Sequence, residues 1–175
     1  MDSEEPMIYL LSGTSHTGKT LLAQRILEEK HIPYLSLDHL KMGLIRSGTT
    51  NLTVFDDDKL TAHLWPIARE MAKTAIENGQ NLILEGCYIP HNWAEDFEES
   101  YLQHIRAIWL IMSREYIEQN FDSIRSHANV IEQRLDDSCL SKEELIRDNL
   151  QNFELCKKNG CEYILIDGAY DIKIT

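Results

Sequence analysis

Met7-Ile8-Tyr9-Leu10-Leu11-Ser12-Gly13-Thr14-Ser15-His16-Thr17-Gly18-Lys19-Thr20 joins a short apolar run to a glycine-bounded loop and a Lys-Thr pair. The run Met7–Leu11 has the length of a buried strand. Behind the loop, Leu22, Ala23, Ile26 and Leu27 recur at i, i+1, i+4 and i+5, the stripe of a helix. A strand, the pattern Gly-x-x-x-x-Gly-Lys-Thr and a helix, in that order, form the context that a phosphate loop requires. Gly13 and Gly18 let the backbone turn so that successive N–H groups face one concavity. The helix beginning near Lys19 adds its positive end. Such a loop cradles a nucleoside triphosphate. Thr14, Ser15, His16 and Thr17 supply its backbone, Lys19 reaches the β- and γ-phosphates, and Thr20 offers a hydroxyl to Mg²⁺.

Outward from the loop, apolar runs alternate with amphipathic stretches. Tyr34–Leu37, Asn81–Glu85, Ala107–Met112 and Tyr163–Ile166 are short and apolar, as expected of parallel strands buried on both faces. Leu64, Ile67, Ala68, Met71, Ala72 and Ala75 form a helical stripe; Pro66 predicts a helix start or a kink within it. Asn78-Gly79 ends that stretch. Ser141-Lys142-Glu143-Glu144 predicts a capping box, opening a helix that Asn159-Gly160 closes. The order predicts an α/β fold: a five-stranded parallel sheet with helices on both faces, in one domain over residues 1–175. Two connections exceed a simple crossover. Residues 38–80 are expected to bind an acceptor, and residues 114–141 to form a short lid, because long insertions at the carboxyl ends of parallel strands carry such elements.

The 175 residues suffice for one full core, and 43% apolar composition argues for a globular chain. With 17 Lys plus Arg against 29 Asp plus Glu, the net charge is -12, which repels nucleic-acid phosphate. Met1–Pro6 is acidic and the apolar run behind it is too short for a signal peptide or a membrane span. Cys87, Cys139, Cys156 and Cys161 show no metal-binding spacing and suit a reducing compartment. The expectations are therefore a cytoplasmic protein, a monomer or homodimer, with no nucleic-acid or membrane partner.

Phosphoryl transfer needs a metal ligand and an acceptor hydroxyl near a base. Asp38 follows the second strand, on the same rim as the loop; it reads as acceptor ligand or general base, or as the N-cap of a helix His39–Arg46. Glu85 ends the third strand and reads as a Mg²⁺ ligand, a substrate contact, or a solvated strand end. Asp56-Asp57-Asp58 reads as a solvated helix N-terminus. Lys41 and Arg46 follow Asp38 and could hold an anionic acceptor, or lie on a solvated face. Arg125, Arg134 and Arg147 lie in or after the second insertion, where lid arginines would offset charge on the transferred group.

The chain resembles the adenylate-kinase-like branch of P-loop kinases. Gly13–Thr20 matches that family's phosphate loop in full. Asp38-His39-Leu40-Lys41 is similar to its Asp-x-Leu-Arg, with Lys41 in place of the phosphate-holding Arg. Arg134-Leu135-Asp136-Asp137 resembles the Arg-x-Asp-Asp behind the lid, and Arg147 the next phosphate-contacting Arg. Ile166-Asp167-Gly168 resembles the Asp-Gly after the last strand, which implies a base near Gly168, Ala169 and Tyr170. One departure bears on the acceptor. Glu85-Gly86-Cys87-Tyr88-Ile89-Pro90-His91 stands where the family has Asp-Gly-Phe-Pro-Arg, so the arginine that grips AMP is missing. An Asp after the second strand with Glu-Gly after the third is similar to small bacterial phosphotransferases, such as chloramphenicol phosphotransferase, and to zeta-type toxin kinases. There the Asp serves as base for a hydroxyl. The chain stops at Thr175, before the helix the family has after its last strand.

The resemblance implies an ATP-dependent, Mg²⁺-assisted kinase acting on a small-molecule acceptor: a metabolite, an antibiotic or a nucleotide. Lys19, Arg125 and Arg134 would stabilise the transferred group. The alternative is an ATP-binding sensor without catalysis. A GTPase is disfavoured, because neither Asn-Lys-x-Asp nor a post-strand Asp-x-x-Gly occurs.

Overall fold

Alternate residues of the central strands enter two separate cores. Ile8 and Leu10 face one side and Leu11 the other; Ala107, Trp109 and Ile111 face one side and Ile108, Leu110 and Met112 the other. A sheet apolar on both faces must be covered on both. The computed structural model describes residues 5–127, 141–170 and 172. Its elements are β1 (Ile8–Gly13), α1 (Lys19–Lys30), β2 (Tyr34–Ser36), α2 (Leu37–Arg46), α3 (Asp57–Glu77), β3 (Leu82–Glu85), a 3-10 turn (Trp93–Asp96), α4 (Glu99–Leu102), β4 (Ile105–Met112), α5 (Arg114–His127), α6 (Lys142–Asn159) and β5 (Glu162–Ile166). The strands are parallel in the order β2-β3-β1-β4-β5. The expected architecture is therefore present, with strand ends shifted by one or two residues. Strand order reverses about β1, which opens a crevice at its carboxyl end.

Leu60, Leu64, Trp65, Ala68, Ala72 and Ala75 carry α3 onto the first core. Leu22, Ala23 and Ile26 of α1 and Ile117 and Ile124 of α5 fill the second. The first half of the 114–141 segment is thus a helix packed into the domain. Of the two alternatives at Pro66, the helix start is corrected: α3 runs from Asp57 to Glu77 through the proline. Pro66 is exposed and so is Ala62, one turn earlier, so water can satisfy the carbonyl that the missing N–H would have bonded.

Ser141 caps α6 by accepting a hydrogen bond from the Glu144 N–H at 3.2 Å, and Gly160 ends the helix in the left-handed region at φ 67°. Ser141→Ala is expected to cost about 1 kcal/mol, read as a lower urea midpoint with an unchanged m-value.

His91 stacks on Trp109, with ring centroids 5.3 Å apart. Burial lowers its pKa, against an opposing hydrogen bond with Asn152. A folded value below the unfolded one means that the unfolded chain takes the proton first. Stability is therefore lost as pH falls below about 6.5. His91→Phe, which keeps an aromatic ring beside Trp109 but has no titrating nitrogen, is expected to flatten that loss when denaturation midpoints are compared at about pH 5 and about pH 7.5.

Candidate active site at the carboxyl rim of the sheet

The phosphate loop leaves β1 where no side chain would fit. A Cβ on Gly13 would lie 2.3 Å from the Leu110 carbonyl oxygen of the neighbouring strand, and Gly13 has φ 133°. His16 (φ 68°) and Gly18 (φ 81°) then turn the chain through the left-handed region. The Thr14 carbonyl ties the loop across its mouth, accepting from Thr17 Oγ1 at 3.0 Å and from Lys19 Nζ at 2.7 Å. Thr17 is fully buried and Lys19 is 6% exposed, so the ammonium is held at the loop rather than in solvent. Gly18 is the N-cap of α1, and no side chain among the described residues caps that helix. Its first N–H groups keep their anion-binding capacity. Thr14 and His16 are half-buried; Ser15 is exposed, its Oγ 4.0 Å from the Cys87 sulfur.

Beside the loop, Thr20 Oγ1 donates to Glu85 Oε1 at 3.2 Å. Glu85 is 1% exposed, which corrects the solvated strand-end alternative. Its register partner on β2 is Ser36, also 1% exposed, whose Oγ is buried without a hydrogen-bond partner among the described residues. Paired residues of parallel strands share a face, so Ser36 and Glu85 lie on the same side of the sheet. Two hydroxyls and a carboxylate are hard oxygen donors and fit Mg²⁺, which keeps several waters and needs few protein ligands. Among the described residues no three His, Cys, Asp or Glu side chains gather for a metal. Ser36 was not singled out from sequence; its only signal is a polar residue ending an apolar strand.

Across the rim, α2 begins at Leu37 with Ser36 in the capping position. The alternative of Asp38 as an N-cap is corrected: Asp38 lies in the first turn and pairs with Lys41, one turn on. Lys41 Nζ also donates to the Tyr88 hydroxyl at 2.9 Å and sits 5.1 Å from the centre of that ring. Burial alone would lower the Lys41 pKa; the bonds to Asp38 and Tyr88 outweigh it, and the net shift is upward. The Lys41 side chain is 14% exposed and that of Asp38 33%, so the carboxylate is the open end of the pair. Lys41 therefore does not lie on a solvated face. Tyr88 was missed from sequence because it reaches Lys41 only once the chain has folded, 47 residues away.

The arginines are less gathered. Arg46 is exposed in the last turn of α2, and Arg125 is exposed on α5. Arg147 is exposed on α6 and pairs with Asp148 at 3.2 Å. Arg134 lies outside the described residues, as do Asp136 and Asp137. Gly168 (φ 99°) and Ala169 follow β5 as exposed residues. Asp56 accepts from the Thr53 N–H and hydroxyl and pairs with Lys59. These bonds, the Thr53 backbone first, hold its carboxyl at about 2, and it serves the turn before α3. No helix of the described residues is long and apolar enough to cross a membrane.

No protein-family model matches the sequence, and no curated protein matches it. Solved structures do. A presumed kinase from Chloroflexus aurantiacus is 20% identical with a TM-score of 0.56, covering 82% of this chain and 79% of its own. Deoxyadenosine kinase from M. mycoides is 14% identical with a TM-score of 0.55, covering 92% and 90%. Shikimate kinase from Acinetobacter baumannii is 17% identical with a TM-score of 0.53, covering 97% and 87%. With its strand order and its glycine-bounded loop at the end of β1, the chain has the fold of the P-loop kinases.

Proposed function

We propose that the protein transfers the γ-phosphate of ATP to a hydroxyl of a small molecule. The observation that carries this reading is the placement of two different polar clusters at one sheet edge. The loop with Lys19, Thr20 and Glu85 stands at β1 and β3, and Asp38 with Lys41 and Tyr88 stands at β2 and β3. A sensor has no need of the second cluster.

The loop's N–H groups and Lys19 would bind the triphosphate, and Lys19 would offset charge on the transferred group. Thr20 and Glu85, with Ser36 beside them, would hold Mg²⁺, which supplies charge neutralisation on the phosphates when bound. Lys41 occupies one carboxylate oxygen of Asp38, leaving the other to accept a hydrogen bond from the acceptor hydroxyl. As the acceptor oxygen bonds to the γ-phosphorus, its proton passes to Asp38. The bond from that phosphorus to the bridging oxygen breaks, and ADP leaves. Arg125, Arg134 and Arg147 are proposed to screen the triphosphate, and Gly168 and Ala169 to meet the base. Arg46 could bind an anionic acceptor.

The test is incubation with γ-labelled ATP, Mg²⁺ and a panel of nucleosides, nucleotides, sugars, phosphorylated acids and antibiotics. Label on any acceptor supports transfer. Tight ATP binding without label on any of them supports the sensor instead.

A further inference from the structure

The segment after β5 is fastened to the phosphate loop. Tyr170 Oη donates to the Gly18 carbonyl at 3.0 Å and lies 3.4 Å from the Thr17 carbonyl. The Gly18 carbonyl also accepts the first bond of α1, from the Leu22 N–H at 2.9 Å. One oxygen thus joins the helix that faces the phosphates to the segment expected to meet the base. The approach is tight: a Cβ on Gly18 would lie 2.1 Å from Tyr170 Oη. The tail is held beyond this point as well. Arg25 Nη1 donates to the Ile172 carbonyl at 3.2 Å, and Ile172 is 3% exposed in the second core. Burial pushes the Tyr170 hydroxyl up to about 12, against an opposing effect of Arg25, so it keeps its proton at neutral pH.

We infer that Tyr170 is a positioning residue of the donor site, fixing the phosphate loop in its binding geometry by a hydrogen bond from the segment after β5. The inference rests on the reading of Gly13–Thr20 as a triphosphate site. Gly18 and Thr17 belong to the loop whose N–H groups would meet the phosphates. The Thr17 carbonyl shares its peptide plane with the Gly18 N–H, and the Gly18 carbonyl with the Lys19 N–H, pointing the opposite way, so anchoring a carbonyl aims the following N–H. The bond also makes phosphate binding depend on docking of the tail. It gives Gly18 a second reason to be glycine besides its positive φ.

The experiment is calorimetric titration of the full chain and of Tyr170→Phe with two probes, MgATP and inorganic tripolyphosphate, with thermal midpoints recorded alongside. Tyr170→Phe keeps the ring and its packing, and the Gly18 carbonyl keeps its bond to Leu22, so the variant retains the fold. The expected result is a Kd raised about five- to tenfold for both probes. An unchanged Kd, whether or not the thermal midpoint falls, would overturn the inference. Weakening of MgATP alone would place the contact at the base rather than the loop and overturn it too. If the unmodified chain binds neither probe, the donor-site reading itself fails, and this inference with it.

Discussion

Lys19→Ala is expected to lower phosphoryl transfer about 10²–10³-fold and to weaken MgATP binding at least about tenfold. The expectation follows from where the ammonium is held. Lys19 is 6% exposed in a chain of net charge -12, and its Nζ is fastened to the Thr14 carbonyl at the mouth of the loop. Truncation to alanine removes that cation. The loop itself should survive, because Thr17 Oγ1 still donates to the same Thr14 carbonyl and Gly13 and Gly18 still set its turns. The variant should therefore remain folded, with a near-native far-UV spectrum and a modest shift of its thermal midpoint. Transfer at the unmodified rate would remove Lys19 from the site.

Asp38→Asn separates acceptor chemistry from donor binding. It is expected to lower transfer about 10²–10⁴-fold, the range for loss of a general base. MgATP affinity should stay within about threefold, because β3 stands between β2 and β1. Asparagine is the better probe than alanine. It can still accept from Lys41, whereas alanine would leave a mostly buried ammonium with Tyr88 as its remaining partner here. The measurement is the initial rate of label transfer to an acceptor found in the panel, set beside the Kd for MgATP. Full transfer by Asp38→Asn would refute the role given to its carboxylate.

Much of the fold was legible because parallel strands buried on both sides must be apolar throughout. Met7–Leu11 and Ala107–Met112 are such runs, and each became the body of a strand. The phosphate loop was legible for a different reason: its backbone turns demand glycine at fixed places, and Gly13 meets that demand against the Leu110 carbonyl. Local rules failed where surroundings decided. Pro66 reads in isolation as a helix start or a kink, but the helix does not start there: one missing N–H on the exposed side of a 21-residue helix is tolerated when Leu64, Trp65 and Ala68 are buried around it. The cap alternative for Asp38 starts the helix at His39, two residues late; the chain turns helical directly after Ser36. Partners distant in sequence were beyond reach. Tyr88 meets Lys41 across a separation of 47 residues, and Tyr170 meets Gly18 across 152. No periodicity encodes such pairings; they exist only once the sheet brings the ends of β2, β3, β1 and β5 to one rim.

The account stands on Gly13–Thr20 as the site of a triphosphate, and titration calorimetry of MgATP into the unmodified protein tests this most directly. One binding event per chain is expected, lost or weakened at least about tenfold in Lys19→Ala. An absence of binding by the unmodified chain, or equal affinity in the two proteins, would contradict it.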